Sequence, residues 1–311
     1  DFEHTVELSK EAPLIIIEGD EYLASVEDKR PKMLIYKANI ALISSISWDH
    51  KNVFPTFEDY TNQFKLFIES ITEKGTLVYN KEDKNVQSLV SANDSNINKH
   101  GYRIPQYTIN KGKSYINTST GDIPLNVFGR FNLSNVAGAY SVCEWLGVSR
   151  DDFYSAIQSF KGASRRLEYV SSNNDSVVYQ DFAHTPLKIS AAIQALKEQY
   201  PEKNLISVVE LQGNSLLDAT VVKEYEGVLD QTEYPVIFIN KEVVKQKINF
   251  NLSEKRLKEI FGNENIKFIT TVDDLEIYLK SQNSSDKNLL FMSSGNFGGI
   301  NIVKYAEFFI S

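Results

Sequence analysis

The sequence predicts an α/β protein of two domains, with a doubly wound parallel sheet in the second. The chain has 311 residues, more than one domain of about 100 to 200 residues would need. After residue 166, five strand-like apolar runs alternate with helical patterns, which is typical of right-handed βαβ units. We therefore place the domains at residues 1–166 and 167–311.

Three short apolar runs predict parallel strands in the first domain. They cover residues 14–18, 40–46 and 76–79, and the first run ends in the acidic segment EGDE. A helix is predicted between the last two runs, because its apolar side chains share one face. Thr56 and Asp59 resemble a capping box at the start of this helix.

A stretch of short alternating pieces follows, and two helices come after it. Residues 94–128 predict a small antiparallel sheet. Residues 132–146 predict a helix that ends at Gly147, and Ser149 caps the next helix. The single cysteine, Cys143, lies in the first of these helices, so no internal disulfide is possible and we expect a buried thiol.

The second domain has the most regular pattern. Thr185 as N-cap and Pro186 at the first helical position mark the start of its first helix. The five predicted strands cover residues 177–182, 205–211, 235–239, 266–270 and 288–293.

Composition and charge exclude several classes of protein. Apolar residues make up 42% and charged residues 24%, which is typical of globular domains rather than disordered chains. A net charge of -8 without a basic stripe argues against a nucleic-acid partner. No run approaches the roughly eighteen apolar residues of a membrane span, so no membrane association is expected. We expect a cytoplasmic protein, and a monomer is assumed.

Polar side chains end two predicted strands of the first domain. Glu18, Asp20 and Glu21 close the run at 14–18, and His50 ends the next strand in SWDH. Ligands of open α/β sheets bind beyond the carboxyl ends of the strands, where carboxylates can hold Mg²⁺ beside a phosphate. The alternative is a solvated strand end, which the spacing alone favours.

Paired amides and paired guanidinium groups are two further candidates. Asn132 and Asn135 lie three residues apart on one helical face, where amides can recognise a purine edge. Asn132 is alternatively the N-cap of its helix. Arg165 and Arg166 suit phosphate binding beside the domain boundary, although a solvated pair is the more common case.

Two strand ends of the second domain also carry candidate groups. Asp181 and His184 end a strand in QDFAHTP, and the loop from Ser293 to Gly299 lies between a strand and a helix. Its glycines permit close backbone approach and a helix N-terminus attracts anions, but the spacing is not GxGxxG. No segment of the sequence matches the P-loop pattern GxxxxGK[ST].

Together these segments resemble the Mur ligases. The ordered set EGDEY, SWDH, GRFNLSN, FKGASRRLE, QDFAHTP and MSSGNFGGI covers nearly all of the chain and is most similar to the murein peptide ligase branch. The resemblance implies part of a central ATPase-type domain, followed by a C-terminal Rossmann-like domain. It also implies that a UDP-binding domain and the P-loop would precede Asp1.

The activity that the resemblance implies is ATP-dependent amide bond formation. UDP-N-acetylmuramate and a recycled murein tripeptide would be the substrates, ATP and Mg²⁺ the cofactors, and an acyl phosphate the intermediate. Because the P-loop is absent from the sequence, we expect the isolated 311-residue chain to turn over little ATP.

The same resemblance implies the site residues, motif by motif. Glu18 and His50 match the metal-holding residues, and Arg166 matches an arginine that reaches the phosphates, so these three would be catalytic. Ser293 and Gly295 would bind the incoming amino component. The nucleotide-binding residues would be Asn132, Asn135, Arg166, Asp181 and His184.

The sequence departs from the family pattern at several positions. Phe131 replaces a histidine that usually precedes the first asparagine, and serines at 44–45 replace an Asn-rich strand end. Residues 212–213 are Gln and Gly where relatives carry an arginine. Phe64 falls in the slot of a carbamylated lysine, with Lys65 one place away, so no carbamylated lysine is predicted.

Two other functions stay open at this point. One is a non-catalytic module, derived from a Mur ligase, that binds a nucleotide or a peptide. The other is a dinucleotide-dependent oxidoreductase, which only the βα alternation and the Gly-rich loop of the second half favour. The missing dinucleotide fingerprint argues against this last function.

Overall fold

The structure, a computed structural model, describes residues 6–51, 53–211, 222–241, 253–282 and 284–311. It divides into two compact units, the first formed by residues 1–103 and 137–147 and the second by residues 104–136 and 148–311. The units follow packing within the folded chain, so residues 104–136 belong to the second unit although they precede residue 166. The domain boundary at residue 166 stays a prediction.

The first unit contains a three-stranded parallel sheet in the order β1–β2–β3. Helix α1 begins at the predicted cap, where the Thr56 hydroxyl oxygen accepts a hydrogen bond from the Asp59 amide at 3.0 Å. Its apolar face packs into the core of this unit, as predicted. The elements are β1 (Ile40–Ile43), α1 (Phe57–Ser70), β2 (Thr76–Asn80), α2 (Lys84–Ser91) and β3 (Asn98–Tyr102).

The strand predicted at residues 14–18 is not formed. The side chains of Leu14, Ile15, Ile16 and Ile17 are instead exposed by 55%, 67%, 93% and 45%. The prediction of a buried strand is therefore wrong. A strand needs hydrogen-bonded neighbours, and among the described residues none pairs with this run. Its apolar pattern alone had predicted burial.

The second unit is built on a six-stranded sheet in the order β11–β10–β9–β12–β8–β7, in which only the β7–β8 pair is antiparallel. The strands are β7 (Glu168–Ser172), β8 (Val177–Asp181), β9 (Asn204–Glu210), β10 (Tyr234–Phe238), β11 (Lys267–Ile269) and β12 (Lys287–Met292). Its helices are α5 (Pro186–Gln199), α6 (Glu254–Phe261), α7 (Val272–Ser281) and α8 (Ile302–Ile310).

Both faces of this sheet are covered, so the prediction of a doubly wound domain is confirmed. Successive side chains of a strand face opposite sides, and Leu289 and Leu290 of β12 belong to two different core clusters. The first cluster contains Ile189 and Ile193 of α5, and the second contains Leu275 of α7. Burial on both faces explains why the five strands are continuous apolar runs.

A small antiparallel sheet also belongs to the second unit, formed by β4 (Tyr107–Asn110), β5 (Lys113–Thr118) and β6 (Gly121–Leu125). The predicted range 94–128 begins too early, because β3 pairs in parallel with β2. Helix α5 holds this sheet through Gln199, whose Oε1 accepts a hydrogen bond from Ser114 at 2.8 Å and whose Nε2 donates to the Gly112 carbonyl at 2.7 Å.

Helices α3 (Arg130–Trp145) and α4 (Arg150–Ile157) follow the antiparallel sheet. Gly147 has a φ of +83°, the left-handed conformation that commonly ends a helix, and the Ser149 hydroxyl accepts from the Asp152 amide at 3.1 Å. Cys143 is half-buried rather than in the core, and burial raises the pKa of its thiol. In the described part of the chain, no helix is long and apolar enough to cross a lipid bilayer.

Candidate functional site

Three buried polar side chains meet at one edge of the six-stranded sheet. Asp181 ends β8, Glu210 ends β9, and Ser293 directly follows β12. Because β12 lies between β8 and β9 with parallel register, the three carboxyl ends are neighbours. These residues are only 6%, 6% and 1% exposed, so their polar groups are held inside the protein at this edge of the sheet.

Asp181 holds the turn that leaves β8 and the segment that precedes β7. One carboxylate oxygen accepts from the Leu167 amide and the other from the Ala183 amide, both at 2.7 Å. Burial raises the pKa of Asp181, and the two amide bonds and the charges of Arg166 and Lys188 oppose that rise. The residue predicted to contact a nucleotide thus also shapes the backbone around it.

The two neighbouring arginines occupy different environments. A terminal nitrogen of Arg165, Nη2, donates to the Ser293 carbonyl at 2.9 Å and also to the Gly295 carbonyl. The guanidinium groups of Arg165 and Arg166 lie 5.2 and 5.5 Å from the ring centroid of Phe182. Arg165 therefore links the segment before β7 to the loop after β12, whereas Arg166 is exposed.

His184 completes a cluster around Phe182. Its Nδ1 lies 2.9 Å from the Phe182 carbonyl oxygen, and the two rings meet edge to face at 5.3 Å. The structure thus brings Arg166, Asp181 and His184, three of the residues predicted to bind a nucleotide, together around one turn.

The loop after β12 is held from inside the protein. Ser293 donates its hydroxyl hydrogen to Oε2 of Glu210 and accepts from the Gly295 amide at 2.7 Å. The Phe297 amide donates to the same Glu210 oxygen at 2.9 Å. The hydroxyl of Ser293, a predicted substrate-binding residue, is therefore used within the loop. Glu210 was not predicted from the sequence, in which its signal is an acidic residue at the end of an apolar strand.

The predicted purine-binding residues lie at the start of α3. Helix α3 begins at Arg130, so Asn132 is inside the helix and the alternative that it is the N-cap is wrong. Its Nδ2 donates to the Phe128 carbonyl at 3.0 Å, which leaves the side-chain oxygen as an acceptor. Asn132 is half-buried and Asn135 is exposed.

In the first unit, His50 lies beside Glu21 rather than Glu18. Its Nε2 is 3.6 Å from Oε1 of Glu21, which accepts from the Tyr60 hydroxyl at 3.0 Å, whereas Glu18 is exposed. Burial, and then the charge of Glu21, raise the pKa of Tyr60, so this hydroxyl stays a donor. Tyr22 contacts His50 edge to face at 4.9 Å.

Two side chains alone do not form a complete metal site. Within the described residues, no group of three or more His, Cys, Asp or Glu is arranged to hold a metal ion. A glutamate beside a histidine fits Mg²⁺ only where water and phosphate oxygens complete its shell. The carboxylates near His50 are compatible with that kind of binding.

Side-chain amides position the segment that leads to His50. Asn80 donates to the Ser44 carbonyl at 3.1 Å, and Asn85 donates to the Ile46 carbonyl at 2.9 Å. The paired residues are 36 and 39 positions apart in the sequence. No local pattern of the sequence indicates these contacts. The sequence analysis missed both residues.

The structure describes some of the positions at which the sequence departs from the family pattern. Phe64 is buried on the inner face of α1, and Phe131 packs against the first core cluster of the six-stranded sheet. Residues 212–213 lie outside the described residues.

Comparisons with known proteins agree with this fold. The model of the Mur ligase middle domain matches residues 5–143, and that of the Mur ligase glutamate ligase domain matches residues 165–295. A UDP-N-acetylmuramate–L-alanyl-γ-D-glutamyl-meso-2,6-diaminoheptandioate ligase of Haemophilus influenzae is 24% identical over 299 residues, which are 93% of this chain and 64% of that protein.

A UDP-N-acetylmuramate–L-alanine ligase of Caldicellulosiruptor bescii is 29% identical over 280 residues, which are 85% of this chain and 59% of that protein. The MurF ligase of Thermotoga maritima, solved in complex with ADP, has a similar fold, with a TM-score of 0.64 at 16% identity. The match covers 89% of this chain and 62% of that structure. The chain thus spans less than two thirds of each of these relatives. The two matched domain models, in this order along one chain, show that the protein belongs to the Mur ligase family.

Proposed function

We propose that the protein carrying this chain is an ATP-dependent amide ligase of peptidoglycan recycling. It joins the carboxylate of UDP-N-acetylmuramate to the free amine of a murein tripeptide. The observation that carries the proposal is the cluster of Arg166, Asp181 and His184 around Phe182, in a chain of the Mur ligase family. The relative from Haemophilus influenzae, whose name includes the tripeptide, supports this substrate.

The nucleotide would be bound by side chains of the second unit. The amides of Asn132 and Asn135, on one face of α3, offer the donors and acceptors that a purine edge requires. The exposed guanidinium of Arg166 has several donors available for phosphate oxygens, and its stacking on Phe182 limits its motion. Asp181 and His184 would contact the nucleotide from the turn after β8.

Glu18 and His50, with Glu21 beside the histidine, would hold Mg²⁺ in the first unit. When bound, this cation neutralises phosphate charge during transfer. The chain's own residues prepare that place, since the Tyr60 hydroxyl fixes the Glu21 carboxylate beside the His50 ring.

Amide formation then requires two transfers. The sugar carboxylate attacks the γ-phosphorus of ATP, and ADP leaves with the electrons of the broken bond. The amine attacks the carbonyl carbon of the acyl phosphate and forms the C–N bond. Inorganic phosphate leaves with the electrons of the broken C–O bond, and the nitrogen gives up one proton. We assign the binding of the amine component to the loop at Ser293 and Gly295. Most of the catalysis would come from positioning and charge neutralisation.

A second candidate is a non-catalytic module that binds a nucleotide or a peptide, because the groups around the turn after β8 suit binding as well as catalysis. The two candidates differ in phosphate release. The test uses the full-length gene product with ATP, Mg²⁺, UDP-N-acetylmuramate and the tripeptide, and omits each in turn. Ligation predicts phosphate release only with the complete mixture, and a product whose mass corresponds to a new amide.

Matched variants and substrates sharpen this test. Arg166→Gln should lower the rate at least about tenfold, because a phosphate-neutralising charge is lost. Lys161→Gln, at another exposed cation in the same segment, is the control and should stay within about twofold. Activity with L-alanine in place of the tripeptide would overturn the substrate assignment, and nucleotide binding without phosphate release would favour the module.

A further inference from the structure

The loop after β12 contains three consecutive residues in the left-handed region. The φ angles are +51° at Phe297, +71° at Gly298 and +93° at Gly299. Glycine adopts this region readily, but for a bulky residue such as Phe297 it is an unusual and unfavourable conformation. Backbone strain of this kind persists only where the surrounding structure imposes it, and it occurs most often at functional sites.

Ring packing and one hydrogen bond impose the conformation of Phe297. Its ring is 1% exposed and lies 5.5 Å from the ring of Phe291 and 6.1 Å from that of Phe238, measured between centroids. Its amide donates to Oε2 of Glu210 at 2.9 Å. At the neighbouring Gly298, a Cβ would lie 2.6 Å from Nδ2 of Asn240 and 2.9 Å from Cγ2 of Val272, so these side chains would have to shift.

Glu210 reaches two points of the loop with one oxygen. Its Oε2 accepts both the Ser293 hydroxyl and the Phe297 amide, and Ser293 in turn accepts the Gly295 amide. A carboxylate is costly to bury, and an apolar side chain would suffice for packing at the end of β9. The buried carboxyl group therefore serves the loop rather than the core.

The outer side of the loop is accessible. Asn296 is exposed and Gly295 is partly exposed, whereas Ser293 and Phe297 are buried. Glu210 thus fixes the inner side of the loop and leaves its outer side for a ligand.

We propose that Glu210 is a positioning residue for the incoming amine. It holds the loop from Ser293 to Gly299 in its strained conformation, and the loop binds the amino component of the ligation. The assignment of the amine rests on the proposed function, whereas the role of Glu210 in holding the loop does not.

Two substitutions of Glu210 in the full-length gene product test the proposal. Glu210→Gln keeps an oxygen that can accept both hydrogen bonds, and Glu210→Met has similar length but no such acceptor. We expect Glu210→Met to raise the KM for the tripeptide at least about tenfold while the KM for ATP stays within about twofold. Glu210→Gln should keep the tripeptide KM within about threefold of the wild-type value.

Hydrogen exchange at individual amides gives a readout that is independent of activity. Glu210→Met should speed exchange of the Phe297 and Gly295 amides at least about tenfold, while the Leu289 amide in β12 keeps its protection. Where Glu210→Met does not fold, Ser293→Ala removes both hydrogen bonds of the Ser293 hydroxyl but leaves the bond from the Phe297 amide to Glu210. Exchange should then speed at Gly295 and stay slow at Phe297.

The outcomes separate the role of Glu210 in holding the loop from the assignment of the loop to the amine. Unchanged exchange in the folded variants would overturn the role of Glu210. An equal rise in both KM values, or a tripeptide KM that does not move, would overturn the assignment to the amine. Absence of ligation by the wild-type protein would reject the proposed function, and the exchange measurement would still decide whether Glu210 holds the loop.

Discussion

The Arg165 guanidinium lies 2.9 Å from the Ser293 carbonyl oxygen, across 128 residues of sequence. This contact joins the segment that enters the six-stranded sheet to the loop that follows β12. The neighbouring Arg166 is exposed and is free to meet a ligand. Two adjacent residues of one type thus divide structural and candidate catalytic roles.

This division predicts unequal effects of two matched substitutions. Arg165→Met keeps most of the apolar stem but removes a charged donor from two main-chain carbonyls, and should lower the free energy of unfolding by about 1–3 kcal/mol. Arg166→Met, at an exposed position, should change it by less than about 0.5 kcal/mol. Urea denaturation measures both, and equal losses would contradict the division.

Asp181 predicts a pH-dependent stability. Its folded-state pKa is raised from 3.8, so the folded protein binds this proton more tightly than the unfolded chain. The stability contributed by the protonated group is fully present below pH 3.8 and is lost as pH rises through the folded pKa. Asp181→Asn cannot titrate, so the stability of the wild type relative to this variant should fall across that window.

Urea denaturation of both proteins from pH 3 to pH 7, at roughly half-unit intervals, checks this expectation. A constant offset between the two curves is expected as well, because the asparagine amide replaces one of the two acceptors of Asp181. A difference that does not vary with pH, or that grows as pH rises, would contradict the raised pKa.

Removing the hydroxyl group of Tyr60 should lower the free energy of unfolding. Its OH donates to Glu21 at 3.0 Å, and the residue is 3% exposed. Tyr60→Phe should lower the free energy of unfolding by about 0.5–1.5 kcal/mol, because a hydrogen bond to a carboxylate is lost inside the first unit. Tyr36→Phe, at a residue that is 36% exposed, makes the same chemical change and should cost less than about 0.5 kcal/mol.

A side chain added at Gly129 should clash with a neighbouring residue, and the effect of this clash can be separated from that of backbone strain. Gly129 and Gly147 have φ angles of +82° and +83°, so alanine is strained equally at both. A Cβ at Gly129 would lie 2.6 Å from the Cβ of Ala195 in α5, whereas nothing lies within 4 Å of one at Gly147. Gly129→Ala should therefore cost about 1–3 kcal/mol more than Gly147→Ala.

A second substitution isolates the cause. Ala195→Gly removes the atom that would clash, so adding it to Gly129→Ala should recover part of the lost melting temperature. Ala195→Gly alone should destabilise the protein by about 1 kcal/mol, because glycine is unfavourable in a helix. If the effects of Gly129→Ala and Ala195→Gly on stability simply add, then the contact between positions 129 and 195 is not the cause of the destabilisation.

The second domain could be predicted because its local patterns and its burial agree. Strand β9 (Asn204–Glu210), for example, is buried from Leu205 onward and covered on both faces, so it appears in the sequence as a continuous apolar run. The run at residues 14–18 has the same pattern but is exposed. Its burial was predicted wrongly because an apolar pattern does not reveal whether a neighbouring strand is present. Strand β3, with the sequence NKHGY, has no apolar pattern and was missed.

The candidate site was predictable only in part. Motifs indicated Arg166, Asp181 and His184, and the structure places them around one turn. Glu210, Asn80 and Asn85 escaped the sequence analysis because their roles depend on contacts between distant parts of the chain. A glutamate at the end of a strand has the same appearance whether it faces water or holds a loop.

The strand order β9–β12–β8 also has a consequence for biosynthesis. The place between β9 and β8 is filled by β12, which follows β8 in the chain by more than a hundred residues. Until residues 287–292 have left the ribosome, β8 and β9 lack the strand that separates them, and each exposes an unpaired edge. The sheet and the loop at Ser293 are therefore completed in one step, and before it the open edges of β8 and β9 can pair with other chains.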